Sequence, residues 1–322
     1  MAAVHDRSSS DATYRYPFGP YPTGWYLALE SRALAPGAVL PLTRFGRELV
    51  AFRSEKTGTA VILDAHCPHM GAHLGYGGAV DGEGIRCPFH HWRFDLGGRC
   101  NDVPYNEGRR PPDTGLRAWP VHETSGLLLV HYSESGEAPR WRLPDLPEWG
   151  ETGWLGYETV SWRIRMHVQE LTENIPDTAH FLYVHEVPGT PRAEVEIKDH
   201  VYRQRSYFAE TGETFTVQEA HGLGLVWLRS AGRLVFLTAI TPLDAQHCEL
   251  KLLFLAREED GARELSAESR ALIQLIADTT ARDVPIWEHK VYRERPVLVP
   301  ADGPIAQLRR WARQFYEAPI SE

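Results

Sequence analysis

Cys67-Pro-His69-Met-Gly71-Ala-His73-Leu-Gly75 is followed, with 17 residues between His69 and Cys87, by Cys87-Pro-Phe-His90-His91-Trp92-Arg-Phe94. Each string carries one thiol and one imidazole a few residues apart, so two short loops together offer two sulfur and two nitrogen ligands. Short apolar runs flank them: Gly24-Trp-Tyr-Leu-Ala-Leu29, Leu49-Val-Ala-Phe52, Ala60-Val-Ile-Leu-Asp64 and Gly126-Leu-Leu-Leu-Val-His131. Runs of this length between turn residues read as strands. The first part of the chain is therefore expected to be mostly β, with metal ligands on loops.

Two thiolates on one iron and two imidazoles on the other are the ligand set of a Rieske [2Fe-2S] cluster. Cys67 and Cys87 would bind the first iron and His69 and His90 the second. Gly71, Gly77 and Gly78 would let the loops fold close around it. A structural zinc uses the same ligand types, but zinc fingers pair Cys with Cys and His with His, which this spacing does not. His66, His73 and His91 read as neighbours of the ligands or surface groups, and Trp92 as packing under the loop. The extra cysteine pair of respiratory Rieske proteins is missing, which favours the lower-potential oxygenase type.

The chain has 322 residues, 43% of them hydrophobic, with ten Trp and eleven Phe. That suffices for two folded domains. A formal charge of −9 gives no basic footprint for nucleic acid. No run approaches the ~18 apolar residues of a membrane span. The first ten residues lack a signal-peptide pattern and read as a disordered leader. Cys100 and Cys248 are left over as free thiols, which suits a reducing, cytoplasmic setting.

The organisation expected is a leader over 1–19, a Rieske [2Fe-2S] domain over 20–148 and a second domain over 149–322. The Pro/Gly-rich stretch Ser133 to Gly153 marks the boundary. Val168 to Val184 has helical character, kinked or restarted by Pro176. Strands follow from Glu194 to Arg257, and then a long amphipathic helix from Ser266 to Tyr292.

A second constellation, Asn174-x-x-Asp177-x-x-His180-x4-His185, lies in the helical segment. His180 and His185 are candidates for the imidazoles of a two-His, one-carboxylate iron site; taken alone they could equally be core histidines. Five residues exceed one helical turn, so the helix should end or distort between them.

With the cluster strings, this string resembles the Rieske non-haem iron oxygenases over essentially the whole chain. The closer resemblance is to the family of 3-ketosteroid 9α-hydroxylase oxygenase components and cholesterol 7-desaturases. It is carried by the cluster strings, by Gly98-Arg-Cys-Asn-Asp-Val-Pro-Tyr105 and by Asp302-Gly-Pro-Ile-Ala-Gln-Leu-Arg-Arg-Trp-Ala-Arg-Gln-Phe-Tyr316.

The resemblance implies an α+β fold: an all-β Rieske domain, then a helix-grip-like catalytic domain with an antiparallel sheet flanked by helices. It implies a mononuclear Fe(II) whose carboxylate comes from Asp283-Val-Pro-Ile-Trp287, with Asp278 and Glu288 as rivals to Asp283. It places Asn174 and Asp177 among the catalytic residues, Asp177 bridging His180 to His90 of a neighbouring subunit in a homotrimer. The implied activity is a monooxygenase taking O2 and electrons from NAD(P)H through a flavin and iron–sulfur reductase. Its substrate would be bulky and apolar, such as a steroid, held between walls from Gly222 to Leu228 and Leu234 to Leu237, with Phe181 and Tyr183 as possible contacts. Desaturation of a similar molecule is the alternative, and an electron carrier without a working mononuclear iron a further one.

Overall fold

The computed structural model describes residues 14–230, 234–259 and 261–317. Its first part has eleven short strands: β1 (Gly24–Glu30), β2 (Val39–Arg44), β3 (Arg47–Arg53), β4 (Ala60–Asp64), β5 (Ala79–Val80), β6 (Gly84–Arg86), β7 (Arg93–Asp95), β8 (Cys100–Asp102), β9 (Ala118–Trp119), β10 (Val121–Thr124) and β11 (Leu127–Tyr132). They form antiparallel sheets ordered β1-β11-β10, β2-β3-β4-β9 and β5-β6-β7-β8. Val50, Phe52, Leu63, Leu74, Ile85 and Phe94 make a buried core in which Cys67 and Cys87 also sit. The remaining strands are β12 (Glu158–Ile164), β13 (Arg192–Lys198), β14 (Val201–Tyr207), β15 (Thr214–His221), β16 (Leu225–Ser230), β17 (Leu234–Pro242) and β18 (Cys248–Ala256), with helices α1 (Val168–Thr172), α2 (His180–Tyr183), α3 (Ala267–His289) and α4 (Ile305–Ala312).

Those seven strands form one antiparallel sheet ordered β12-β18-β17-β16-β15-β14-β13. The interior strand β17 is apolar on both faces, as a strand covered from both sides must be. One face packs Leu225, Trp227, Val235 and Leu237 against Trp25, Leu27, Leu127 and Leu129 of the first part. The two parts thus share a core, and their relative orientation is fixed by it. The opposite face looks toward α3 and the 168–188 segment. This is the α+β architecture expected from the sequence, with helices beside an antiparallel sheet. No helix among the described residues is long and apolar enough to cross a membrane.

The boundary stretch Ser133 to Gly153 packs on the shared core, with Leu143 and Leu146 buried in it. One expectation needs revision: the leader is ordered where it is described, with Tyr16 and Phe18 buried and Arg15 donating to the carbonyls of Glu288 and Lys290. Those carbonyls at the end of α3 lack helical partners, so a guanidinium there is a cap. Residues 1–13 lie outside the described residues. The four cysteines form no disulfide.

Candidate active site

The two cluster strings fold into the same loop. In each, the Cys N–H donates to the carbonyl five residues on (Cys67 to Ala72 and Cys87 to Trp92, both 2.9 Å). In each, the N–H at the fifth position returns to the Cys carbonyl (Gly71 to Cys67, 2.9 Å; His91 to Cys87, 3.1 Å). That position is left-handed in both, Gly71 at φ +76° and His91 at φ +58°. Thus His91 completes a turn with its backbone, at a strain Gly71 avoids.

Both sulfurs are buried. Burial pushes the Cys67 thiol up to about 11, the backbone N–H groups of His69 and Met70 pulling the other way. Thiolates in this setting need a metal's charge to form at neutral pH. The imidazoles of His69 and His90 have ring centres 4.7 Å apart, and His69 stacks on Trp92 at 4.6 Å and 5°. Ligands of one tetrahedral zinc would lie about 3–4 Å from each other. These four do not gather that closely: among the described residues the only such group is His180, His185 and Asp283. A larger group, a two-iron cluster, fits the loops better. His66 and His73 face each other and, for His66, Glu48 at 3.3 Å, away from this role. Met70, Tyr76, Phe89 and Tyr105 leave large apolar surfaces exposed on the cluster side of the domain.

Pro176 separates α1 from α2. Asp177 then restarts the helix: its Oδ1 accepts the His180 N–H at 3.2 Å. The Asp177 carbonyl accepts a hydrogen bond from His180 Nδ1–H. That bond fixes the tautomer and leaves the lone pair on Nε2. His185 follows α2 and brings Nε2 to 3.3 Å from Asp283 Oδ2 on α3. Ligand atoms of His180, His185 and Asp283 lie within 4.8 Å of one another. Two imidazole nitrogens and one carboxylate are the donor set of mononuclear Fe(II) oxygenases. The fit is supported by Asp283 itself, 5% exposed, because a carboxylate so buried needs a cation beside it.

Of the rivals, Asp278 lies on the outer side of α3 with Gln274 and Glu288 takes the Arg165 N–H. The buried residues of α3 include Ile273, Ala277, Asp283 and Trp287, so Asp283 occupies the apolar stripe. Asn174 Nδ2 stands 3.2 Å from His180 Nε2. Burial raises the Asp177 pKa, but the hydrogen bond and charge of His180, with Lys290, outweigh this and hold it below the usual carboxylate range.

Sequence reasoning missed the supports of this segment. Arg309 on α4 clamps Glu173 with two hydrogen bonds, 3.0 and 2.8 Å. Tyr316 donates to Gln169 at 2.7 Å, and Tyr16 to Glu170 at 2.6 Å. Gly303 lies against the Pro176 carbonyl with no room for a Cβ. The signal available was the motif around 302–316 itself, whose partners are remote in sequence.

A cavity of about 330 Å³ opens onto the triad. Val226, Leu228, Phe236, Leu250, Leu252 and Phe181 are among its walls. The expected apolar walls are thus half right: alternate residues line the cavity, and Leu225, Trp227, Val235 and Leu237 face the core behind. Tyr183 points to solvent, 81% exposed. A larger hollow of about 840 Å³, beside Trp141 and His200, includes none of the expected site residues.

Solved structures with this fold include dicamba monooxygenase (TM-score 0.70, 18% identity, 94% of this chain and 98% of that one). NdmB of Pseudomonas putida CBB5 is another (TM-score 0.72, 18% identity, 89% of each). Residues 24–120 match the Rieske [2Fe-2S] domain family. Fold and site define a Rieske non-haem iron oxygenase, an enzyme whose cofactors are a [2Fe-2S] cluster and a mononuclear iron.

Residues 130–316 match the 3-ketosteroid 9alpha-hydroxylase C-terminal domain, and the chain belongs to that family. Among its relatives is a probable 3-ketosteroid-9-alpha-monooxygenase oxygenase component of Rhodococcus rhodochrous, 32% identical over 92% of this chain and 80% of the relative. A cholesterol 7-desaturase of Ciona intestinalis is 31% identical over 92% and 69%.

Proposed function

We propose that the chain is the terminal oxygenase of a multicomponent monooxygenase that hydroxylates a bulky apolar molecule of steroid type. The carrying observation is the His180, His185 and Asp283 triad in the wall of an apolar cavity. Steroid and sterol names among the relatives support the substrate class. Cys67, Cys87, His69 and His90 would hold the cluster, and the triad the iron. When bound, iron supplies activation of O2 with electrons received from a reductase through the cluster. The chain's own part is to shape the site. Asp177 fixes the His180 ring, and the apolar walls exclude water and present a C–H bond.

Asp177 would also meet His90 of a neighbouring subunit in a homotrimer, a reading supported by its side chain being 37% exposed and by the apolar surface around the cluster loops. The division near residue 148 and a cytoplasmic setting belong to the same proposal. Desaturation is the second reading, favoured by the desaturase relatives, since both outcomes begin with hydrogen abstraction. An electron carrier would lack the iron. Purified protein should contain about three irons to two acid-labile sulfides; two to two would overturn the oxygenase site. Oxygen consumption with a reductase across a steroid panel tests the substrate, and product analysis separates hydroxylation from desaturation.

A further inference from the structure

Apart from the triad, whose His185 Nδ1 is also unpartnered, the apolar cavity contains two buried side-chain polar atoms without a hydrogen-bond partner. Thr216 Oγ1 and Gln218 Oε1 are buried without a hydrogen-bond partner among the described residues, and both residues line the cavity. They are two positions apart on β15, so they share the inner face of the sheet. The threonine is 8% exposed. Their neighbours across the strand pair, Ser206 and Gln204, are satisfied: Gln204 donates to the Ile175 carbonyl at 2.6 Å and to Ser206 at 3.2 Å. The threonines of α3 in the same wall, Thr279 and Thr280, donate to their own helix carbonyls. Within the lining of this cavity, unpaired capacity away from the metal triad therefore lies on β15.

An unpartnered polar group inside an apolar cavity is a standing cost unless something pairs with it. We infer that Thr216 and Gln218 form a polar anchor for an oxygen substituent, a hydroxyl or a ketone, on an otherwise apolar substrate. A hydroxyl would donate to Gln218 Oε1, and a ketone would accept from the Thr216 hydroxyl. The anchor is separate from the triad's donor atoms: neither atom pairs with His180, His185 or Asp283, and the Phe181 ring, in the same wall, lies 5.8 Å from that of His185. The oxygen held on β15 is thus distinct from the carbon presented to His180, His185 and Asp283. Holding one end of a rigid skeleton selects which C–H bond reaches the other. This inference rests on the proposed apolar, steroid-type substrate and adds the group by which it is oriented.

The test is equilibrium binding to the holoenzyme of three probes on one skeleton: a steroid hydrocarbon, the same with one terminal hydroxyl, and the same with one terminal ketone. At least one oxygenated probe should bind about tenfold tighter than the hydrocarbon. Gln218→Leu should remove a hydroxyl preference and Thr216→Val a ketone preference; the double variant should remove any preference for the oxygenated probes over the hydrocarbon, and Thr216→Ser should retain it. Thermal midpoints of the variants should not fall, because no protein partner is lost. A preference that persists in the double variant, the absence of one in the wild type, or a lowered midpoint would overturn the anchor and leave the substrate class standing. If none of the three probes binds, the steroid-type reading fails, and the anchor with it.

Discussion

Asp177 holds His180 in two ways, through its backbone carbonyl and through its carboxylate, and a substitution can separate them. Asp177→Asn keeps the carbonyl and an acceptor for the His180 N–H but removes the charge. Iron and sulfide content should stay at wild-type levels while turnover with a reductase falls at least about 10- to 100-fold; turnover at the wild-type rate would show that the carboxylate couples nothing. His167 poses a different test. It is 3% exposed, caps α1 by accepting the Gln169 N–H at 3.1 Å, and is pushed down to about 3 by burial, with backbone contacts at Gly19 and Pro20 opposing. His131 is pushed down to about 4 by burial. Unfolded, both would titrate near 6.5. The unfolded chain therefore binds protons that the native state refuses, and the stability due to this is complete above about pH 6.5 and lost as pH falls toward 4. His167→Asn preserves a capping acceptor and should make urea-unfolding stability less steep between pH 6 and 5, by up to about 1.4 kcal/mol per pH unit. An unchanged slope would mean that His167 is not held neutral.

At the scale of elements, the iron segment is short and depends on what surrounds it. The helix α2 has four residues, too few to stand alone, so its position comes from α3 and from the 302–316 stretch. Gly303 has φ +81° and no space for a Cβ against Pro176. Gly303→Ala should therefore shift the Asn174 to His180 turn and lower iron content while the cluster's visible absorption is unchanged; full iron occupancy would refute the support. Local features of this region were legible. Pro176 broke the helix where expected and Ser266 caps α3 by accepting the Ser269 N–H; Asp283 came only from the resemblance, and its place in the buried stripe of α3 came from the structure. The clamp from Arg309 to Glu173 was not, because its partners are 136 residues apart and no periodicity encodes a contact at that distance. The burial of Tyr16 and Phe18 escaped for the same reason: an N-terminal segment without periodicity gains its structure from surfaces made elsewhere. On β15, alternation predicts a strand but not which polar residues of its inner face go unpaired.

For the whole molecule, the shared core ties the cluster domain to the catalytic sheet within one chain, so neither can swing freely to meet the other. In the proposed oligomer a neighbouring subunit would complete the electron route, with the exposed Met70, Phe89 and Tyr105 and the partly exposed Asp177 as surfaces for a head-to-tail contact. Heterologous contacts close into a ring when each rotation is a third of a turn, as the proposed trimer requires. Sedimentation should give about three times the 36.4 kDa chain mass. The route itself is tested by mixing two inactive variants. Cys87→Ser subunits lack a cluster but keep Asp177; Asp177→Asn subunits keep the cluster but lack the carboxylate. If electrons cross between subunits, an Asp177→Asn neighbour can serve the iron of a Cys87→Ser subunit, and randomly mixed trimers should recover about a quarter of wild-type turnover. If they pass within a subunit, every chain in the mixture carries a broken route and turnover stays at the level of the separate variants.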